Sequence, residues 1–504
     1  MSALGADAPA PARRGRGAGR HVPPAERTVF GHPRGLATLF MTEMWERFSF
    51  YGMRAILVLF LVAPTSDGGL GLSLPEATGV YGIYDALVYV AAMPGGWVAD
   101  RLLGARRTVM LGGVVISAGH FLMLAPGIGG IVGGLGLVVC GTGLLKPNVS
   151  TMVGALYGPE DTRRDAGFSI FYMGINLGAF LAPLAIGPIG QDVSWRLGFG
   201  LAGVGMLVGL AQLAYGTRYL GDVGRRAPQP LLAPERARAL RRLGLALLAL
   251  AAIVGIWLGG VVSAVGLERG ITLLIVAIPI LWFTRAFKLA ADEAERDRLR
   301  ALVALFCASA VFWMVYDQSG SVMSIFAEQD IAPKVAGIEV PASVYQALNP
   351  MYILLLAPLM ALLWVRLGRR QPSTPVKFAI GLSLVAVGFL LMVGAASAAG
   401  AFGKASPLWL VVVYAVLTVG ELALSPVGLS AATRLAPAAA AGSTMGVWFL
   451  SISVGDAIGG ELGALVPVLG MGPWFAVMAC FPVVAAVVVL LYRRRIVRWM
   501  RGLA

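Results

Sequence analysis

The stretch EMWERFSFYGMR, Glu43 to Arg54, decides the fold. It lies inside an otherwise apolar run from about Leu36 to Val62, long enough to cross the hydrocarbon core of a bilayer. The run carries four ionisable groups, Glu43, Glu46, Arg47 and Arg54. A charge near the bilayer centre costs roughly 2.5 kcal/mol or more, so such groups are rarely kept without a partner and a purpose. Glu43, Glu46 and Arg47 fall at i, i+3 and i+4 and share one helix face, with Arg54 two turns further along nearly the same face. The stripe has to look into the protein or a water-filled cavity, and the rest of the chain has to supply what it faces.

The 504 residues are 58% hydrophobic and only 13% charged, far too apolar for a soluble chain of this size. Repeated apolar runs of about 20 residues make it an all-α polytopic membrane protein embedded in the lipid bilayer. The net charge of +14 does not indicate a nucleic-acid partner. The basic residues cluster in short loops and at the termini, as cytoplasmic loops do in membrane proteins. The three cysteines, Cys140, Cys307 and Cys480, fall within expected spanning helices and read as small apolar residues, not as a disulfide framework.

Fourteen spanning helices are expected. Residues 1–34, rich in Ala, Pro, Gly and Arg, read as a disordered cytoplasmic tail without the apolar core of a signal peptide. A six-helix bundle over 35–217 follows, with helices at about 36–63, 76–99, 107–125, 130–157, 165–188 and 195–216. A linker over 218–299 starts basic and contains two further apolar helices, about 243–264 and 270–288, with almost no polar residue to give to a cleft and hence a peripheral place. A second six-helix bundle over 300–493 and a basic tail over 494–504 complete the chain, with a helix expected without interruption over 301–327. Arginines and lysines concentrate on one side (Arg101, Arg106, Arg107, Arg163, Arg164, Arg369, Arg370, Lys377 and Arg434), so both termini are expected in the cytoplasm.

Two six-helix bundles joined by a basic linker resemble the transporters of the major facilitator fold, whose substrate site lies between the halves. GGWVADRLLGARR, Gly95 to Arg107, is similar to that superfamily's signature loop, in which Asp100, Arg101, Arg106 and Arg107 can form a gate latch on neighbouring helix ends. The remaining intramembrane polar residues are Lys146 in GTGLLKPNVS, Asn176 in FYMGINLGAF, Asp317 in FWMVYDQSGS, Asn349 in YQALNPMY, Glu421 and Ser425 in GELALSPVG, and Trp448 in MGVWFL. The N-terminal half supplies Arg47, Arg54 and Lys146; the C-terminal half supplies Asp317 and Glu421. Opposite charges on opposite halves can pair in a closed cleft, part in an open one, and match a zwitterion.

Together with EMWERFSFYGMR and SVYQALNP, these motifs resemble the proton-dependent oligopeptide transporter (POT/PTR) family of the major facilitator superfamily, bacterial type, over about residues 36–492. The resemblance implies twelve core helices plus the two extra ones, and a bacterial inner-membrane symporter that imports di- and tripeptides with protons, functional as a monomer. It implies proton coupling at Glu43, Glu46, Arg47, Lys146 and Asp317. It implies a peptide pocket lined by Tyr51, Arg54, Tyr84, Lys146, Asn176, Asn349, Glu421, Ser425 and Trp448, with the peptide amino end at Glu421 and the carboxylate at Arg54 and Lys146. Arg54 is expected to pair with Asp317, and Glu421 can pair with Lys146. Two departures stand out: the seventh-helix acid is Asp317 instead of Glu, and Phe50 replaces a tyrosine.

Some readings stay open. Asn176 can instead be interhelical glue, and Trp448 and Tyr84 can be packing residues. His120 reads as a structural histidine; Asp85 has no assignment, and Asp456 is either a second titrating site or a hydrogen-bonding group. A related carrier of another small solute (nitrate, a modified peptide or another organic solute) is the alternative within transport. The chain offers no nucleophile with its base and no clustered metal ligands, so neither enzyme nor metal chemistry is expected, and no cofactor beyond the coupling proton.

Overall fold

The computed structural model describes residues 28–29, 31–158, 161–258, 264–335, 337–437 and 441–502. Most of the expected tail over 1–34, and the end of the helix expected over 243–264, lie outside them. Among the described residues the chain is all-helical apart from two tiny antiparallel pairs, Thr28–Val29 with His32–Pro33 and Lys334–Val335 with Ile338–Glu339.

Six long helices build the first half: α1 (Arg34–Val62), α2 (Leu74–Val98), α3 (Ala105–Leu122), α4 (Ile128–Ala155), α5 (Arg164–Pro188) and α6 (Trp195–Gly216). The two extra helices are α7 (Ala233–Leu258) and α8 (Ala264–Leu289). The second half comprises α9 (Glu293–Tyr316) continued by the short α10 (Val322–Asp330), then α11 (Leu348–Leu367), α12 (Thr374–Phe402), α13 (Leu408–Leu435), α14 (Ala441–Leu462), the single turn α15 (Val466–Leu469) and α16 (Met471–Trp499). Among the described residues ten stretches are long and apolar enough to cross a membrane. The 29-residue α1 is not among them, because its charges interrupt every apolar window although its length suffices.

Local chemistry sets several boundaries. Ser73 and Glu76 close a capping box at the start of α2, the Ser73 amide donating to Glu76 Oε2 at 2.9 Å. Asp292 caps α9 by accepting from the Glu295 amide at 2.7 Å, so the charged run LAADEAERDRLR belongs mostly to that helix. The helix expected to begin near 243 starts at Ala233, because RARALRR is built from good helix formers. The helix expected over 301–327 is broken. Asp317–Gly320 forms a tight 3₁₀ turn and Ser321 leaves helical geometry at φ −118°, ψ −97°. Ser319, Gly320 and Ser321 favour such a departure, and a break at this depth is tolerated where backbone lines a cavity or is buried in protein.

Glycines set the closest helix approaches. A β-carbon at Gly112 of α3 would stand 2.7 Å from the Gly141 carbonyl oxygen of α4. The same device joins the two halves: α2 lies directly on α14, and a β-carbon at Gly82 would meet the Asp456 carbonyl oxygen at 2.6 Å and the Gly460 α-carbon at 2.8 Å. At the end that carries the α1–α2 connection, Gln191 ties the halves again, donating to Glu328 at 2.8 Å and accepting from the Ser343 amide at 2.9 Å.

The seam at Gly82 makes a prediction. Gly82→Val forces backbone apart from backbone, at a cost of about 1–3 kcal/mol against the closed seam. The closed population should drop on the order of 5- to 150-fold. Spin labels at Asp67 and Lys334, both at the end closed by Gln191, should report longer distances in the variant; an unchanged distribution would show that the seam has slack.

The extra helices flank the bundle. Most of the described surface of α8 faces outward, yet it packs on α2, α9 and α14 and buries Ile275 and Phe283. It also carries a polar group that the apolar reading of this pair lacks, since Arg269 Nε stands 3.9 Å from Glu461 on α14.

Candidate functional site

The charged stripe of α1 divides into two clusters. In the first, Arg47 lies between two carboxylates on its own helix, its Nε 3.3 Å from Glu43 Oε1 and in direct contact with Glu46 Oε2. All three side chains are buried. Glu43 Oε2 and Glu46 Oε1 are buried and have no hydrogen-bond partner among the described residues, so both carboxylates keep a free oxygen that can accept a proton. Phe50 has a defined place: its ring lies 5.0 Å under the Arg47 guanidinium and stacks on Tyr84 at 6.1 Å. The hydroxyl missing at Phe50 is thus replaced by an apolar face on the ion cluster.

Lys146 projects from α4 just before Pro147. Its ammonium sits 4.2 Å from the centroid of the Tyr89 ring, and no carboxylate lies within ion-pair distance among the described residues. Lys146 and Glu421 are therefore not paired in this structure. Asn148 fixes this part of α4 to α2, donating to the Gly95 carbonyl at 3.1 Å.

The second cluster surrounds Arg54. Nη2 reaches Asp317 Oδ1 at 2.8 Å, so the shorter acid pairs directly. The same nitrogen reaches Asp85 Oδ2 at 2.9 Å, and Nε donates to the Tyr81 hydroxyl at 2.5 Å. Asp85 and Tyr81 thus join a pair that was expected to contain Asp317 alone. Their signal in the sequence is an intramembrane acid with a tyrosine one turn before it, in YGIYDALVY. Asp317 reaches Arg54 from the broken turn between α9 and α10.

Glu421 stands apart in the C-terminal half. It accepts from the Tyr316 hydroxyl at 2.5 Å and from Asn349 at 3.0 Å, while Asn349 also donates to Thr418 at 3.0 Å. Tyr316, the residue before Asp317, was not among the expected site residues. Ser425 lies one turn along α13 from Glu421. Trp448 is buried edge-on to Phe378, with centroids 6.4 Å apart, and covers Gly428. Tyr51 packs edge-on to Phe50 at 5.2 Å. Tyr84 is buried with its hydroxyl unpartnered among the described residues. Asn176 donates to the Tyr172 carbonyl of its own helix at 3.0 Å. His120 pins α3 to α1 through Ser49, at 2.7 Å.

The loop between α2 and α3 engages the linker. Arg106 Nη2 donates to the carbonyls of Gly221 at 2.5 Å and Val223 at 3.2 Å, and the Gln229 and Leu231 amides donate to the carbonyls of Asp100 and Arg101. Among the described residues no ion pair links Asp100 to Arg101, Arg106 or Arg107. The latch proposed for these four residues is, in this structure, a backbone clasp on the linker.

The geometry is that of two helical halves around facing, buried charges, and the similarities agree with it. The PTR2, POT family profile matches residues 106–471. A di-/tripeptide transporter of Lactococcus lactis subsp. lactis (strain IL1403) is 41% identical over 488 residues, covering 94% of this chain and 98% of the relative. A crystal structure of the peptide transporter POT in complex with sulfate superposes with a TM-score of 0.90 at 42% identity, covering 95% of this chain and 98% of that one. A POT family transporter in complex with 5-aminolevulinic acid superposes with a TM-score of 0.88 at 33% identity, covering 94% and 98%. The chain is a multi-pass membrane protein that belongs to the POT family of peptide transporters.

Proposed function

We propose that the chain is a proton-coupled symporter that imports di- and tripeptides by alternating access across the bacterial inner (plasma) membrane, working as a monomer with both termini in the cytoplasm. The carrying observation is the pair of opposite charges left free of each other in the two halves: Lys146 on α4, held over an aromatic face, and Glu421 on α13, held by neutral donors. A peptide's ammonium suits Glu421 and its carboxylate suits Lys146 together with Arg54, so the two backbone ends supply recognition and side chains are free to vary. Asn176 and Asn349 would meet the peptide amides, while Tyr51, Tyr84, Ser425 and Trp448 line the pocket. Glu43 and Glu46, each with a buried unpartnered oxygen, are the coupling groups on this reading, with Arg47 as their shared counter-ion. Contact of α2 with α14 and the Gln191 tie close the end carrying the α1–α2 connection, which the positive-inside rule places outside. The conformation is then closed to the outside.

Uptake of dialanine into proteoliposomes, with and without an inward proton gradient, tests this directly. Gradient-stimulated uptake supports the reading, and uptake indifferent to the gradient refutes it. Glu46→Gln should abolish gradient-driven uptake, by at least about tenfold, while peptide counterflow persists in part. Undiminished gradient-driven uptake in this variant would remove Glu46 from coupling. The alternative, transport of another small solute, draws on the 5-aminolevulinate complex of a relative. That compound also carries an amine and a carboxylate. Uptake of labelled 5-aminolevulinate measured beside that of dialanine separates the two readings: the compound carried with the higher kcat/KM is the better substrate.

A further inference from the structure

The last turns of α16 carry arginines that the peptide site does not use. One face of this helix is packed: Ala486, Val489, Ile496 and Met500 are all buried. The opposite face is bare. Val484, Val488 and Leu491 are 61%, 48% and 75% exposed, and in a membrane protein such a face meets acyl chains. Arg495 and Arg498 continue it. From Val484 the positions advance by alternating steps of four and three residues, so the five side chains form one stripe along the helix. The path from Val484 to Arg495 is about 16 Å at the α-helical rise. That is close to the hydrocarbon depth of one leaflet, ~15 Å. The two arginines therefore stand where an acyl-facing stripe gives way to headgroups.

They also line a cavity of about 580 Å³, together with Trp499, Arg501 and Asp297 of α9. Asp297 is already held: Oδ1 accepts from Arg300 at 2.7 Å and Oδ2 from Arg501 Nε at 2.8 Å. Arg501 reaches it from a left-handed turn at φ +50°, uncommon for a residue with a β-carbon, and Gly502 follows at φ +85°. This turn folds the chain back and makes Arg501 one wall of the cavity. The Arg495 guanidinium lies 5.3 Å from the centroid of the Trp499 ring. Among the described residues neither Arg495 nor Arg498 has a carboxylate within ion-pair distance. Two guanidinium groups thus keep their charge for a ligand, beside a tryptophan, a residue type that settles at headgroup depth.

We propose that this cavity binds the headgroup of an anionic phospholipid, with the phosphate on Arg495 and Arg498 and an acyl chain along Leu491, Val488 and Val484. Guanidinium groups meet phosphate oxygens through a planar fork of donors, and basic pockets at the ends of spanning helices take lipid headgroups. A zwitterionic headgroup fits less well. Its amine would stand among Arg495, Arg498 and Arg501, opposed by Asp297 alone, which two arginines already share. A free phosphate would meet the arginines and leave the apolar stripe unused. The usual excess of basic residues in cytoplasmic segments explains how many arginines stand here. It does not explain why Arg495 and Arg498 continue the exposed stripe and line a cavity. The leaflet concerned rests on the orientation proposed above; the site itself does not, and it is independent of what the chain transports.

Native mass spectrometry of the purified full chain in detergent, titrated with phosphatidylglycerol or with phosphatidylcholine, tests the site. The wild type should bind phosphatidylglycerol at least about tenfold more tightly than phosphatidylcholine. Arg495→Gln combined with Arg498→Gln should remove that preference. Arg493→Gln combined with Arg494→Gln deletes the same charge from side chains outside the cavity lining and should keep it. Lipid-free Tm values of the two double variants should match the wild type, so that lost binding reports a lost site. A wild type without preference for phosphatidylglycerol overturns the proposal whatever the variants do. Equal loss in both double variants also overturns it, since the arginines would then act as diffuse surface charge. So does displacement of phosphatidylglycerol by inorganic phosphate at equal concentration, which would make this a site for a free anion. Should a double variant fail to fold, the wild-type preference and the phosphate competition still decide.

Discussion

Arg54→Ala is expected to abolish peptide uptake and to destabilise the protein by about 3–5 kcal/mol, the cost of leaving buried charge without its partner. One guanidinium holds Asp317 at 2.8 Å, Asp85 at 2.9 Å and the Tyr81 hydroxyl at 2.5 Å, and it joins α1 to α2 and to the turn after α9. Removing it leaves Asp85 and Asp317, which share one of its nitrogens, facing each other with no cation between them. Thermal unfolding of the detergent-purified protein should show a clear fall in Tm. Partial rescue by lowering the pH is expected, because protonating the orphaned acids removes the repulsion. Arg54→Lys should retain the fold better than Arg54→Ala and still transport poorly, since a compact ammonium cannot copy the planar fork that meets two acids and a hydroxyl together. An alanine variant with unchanged Tm would mean that the cluster is far more open to water than its burial indicates.

Glu421→Gln should weaken binding of dialanine by about 2–4 kcal/mol, on the order of 30- to 1000-fold. The substitution keeps the shape and leaves an oxygen to accept from Tyr316, so loss of charge is the main change. The hydrogen bonds from Tyr316 and Asn349 aim this carboxylate without neutralising it, and its charge remains available to a ligand ammonium. Wild type should discriminate strongly against N-acetyl dialanine, which lacks that charge, and the variant should treat the two compounds nearly alike. Equal Kd values for dialanine in wild type and variant would place the amino end elsewhere.

The sequence carried the membrane class, the fourteen long helices and the division into halves, because apolar length and loop charge are local properties. It also singled out the candidate site residues: Glu43, Glu46, Arg47, Arg54, Lys146, Asp317 and Glu421 all stand out as polar groups at apolar depth. What it did not carry depends on how one helix sits against another. The partnership of Arg54 with Asp85 needs the register of α1 on α2. The separation of Lys146 from Glu421 depends on the conformation of the whole molecule, which a list of charges cannot contain. The break at Asp317–Gly320 was hidden because the run from 301 to 327 is apolar enough to read as one helix, and only the Ser-Gly-Ser triplet hints otherwise. The clasp of the α2–α3 loop on the linker is made through carbonyl groups, which every residue has and no side-chain pattern reports.

The crossing of α2 over α14 has one further consequence. Where main chain rests on main chain at Gly82, Gly460 and the Asp456 carbonyl, no rotatable group lies between the helices to take up a small displacement. Such a contact behaves as a stop, not a spring: it is seated or it is not, and intermediate spacings gain nothing. A carrier with a stop at one mouth samples discrete shapes, and a bound substrate need only tip a balance between them.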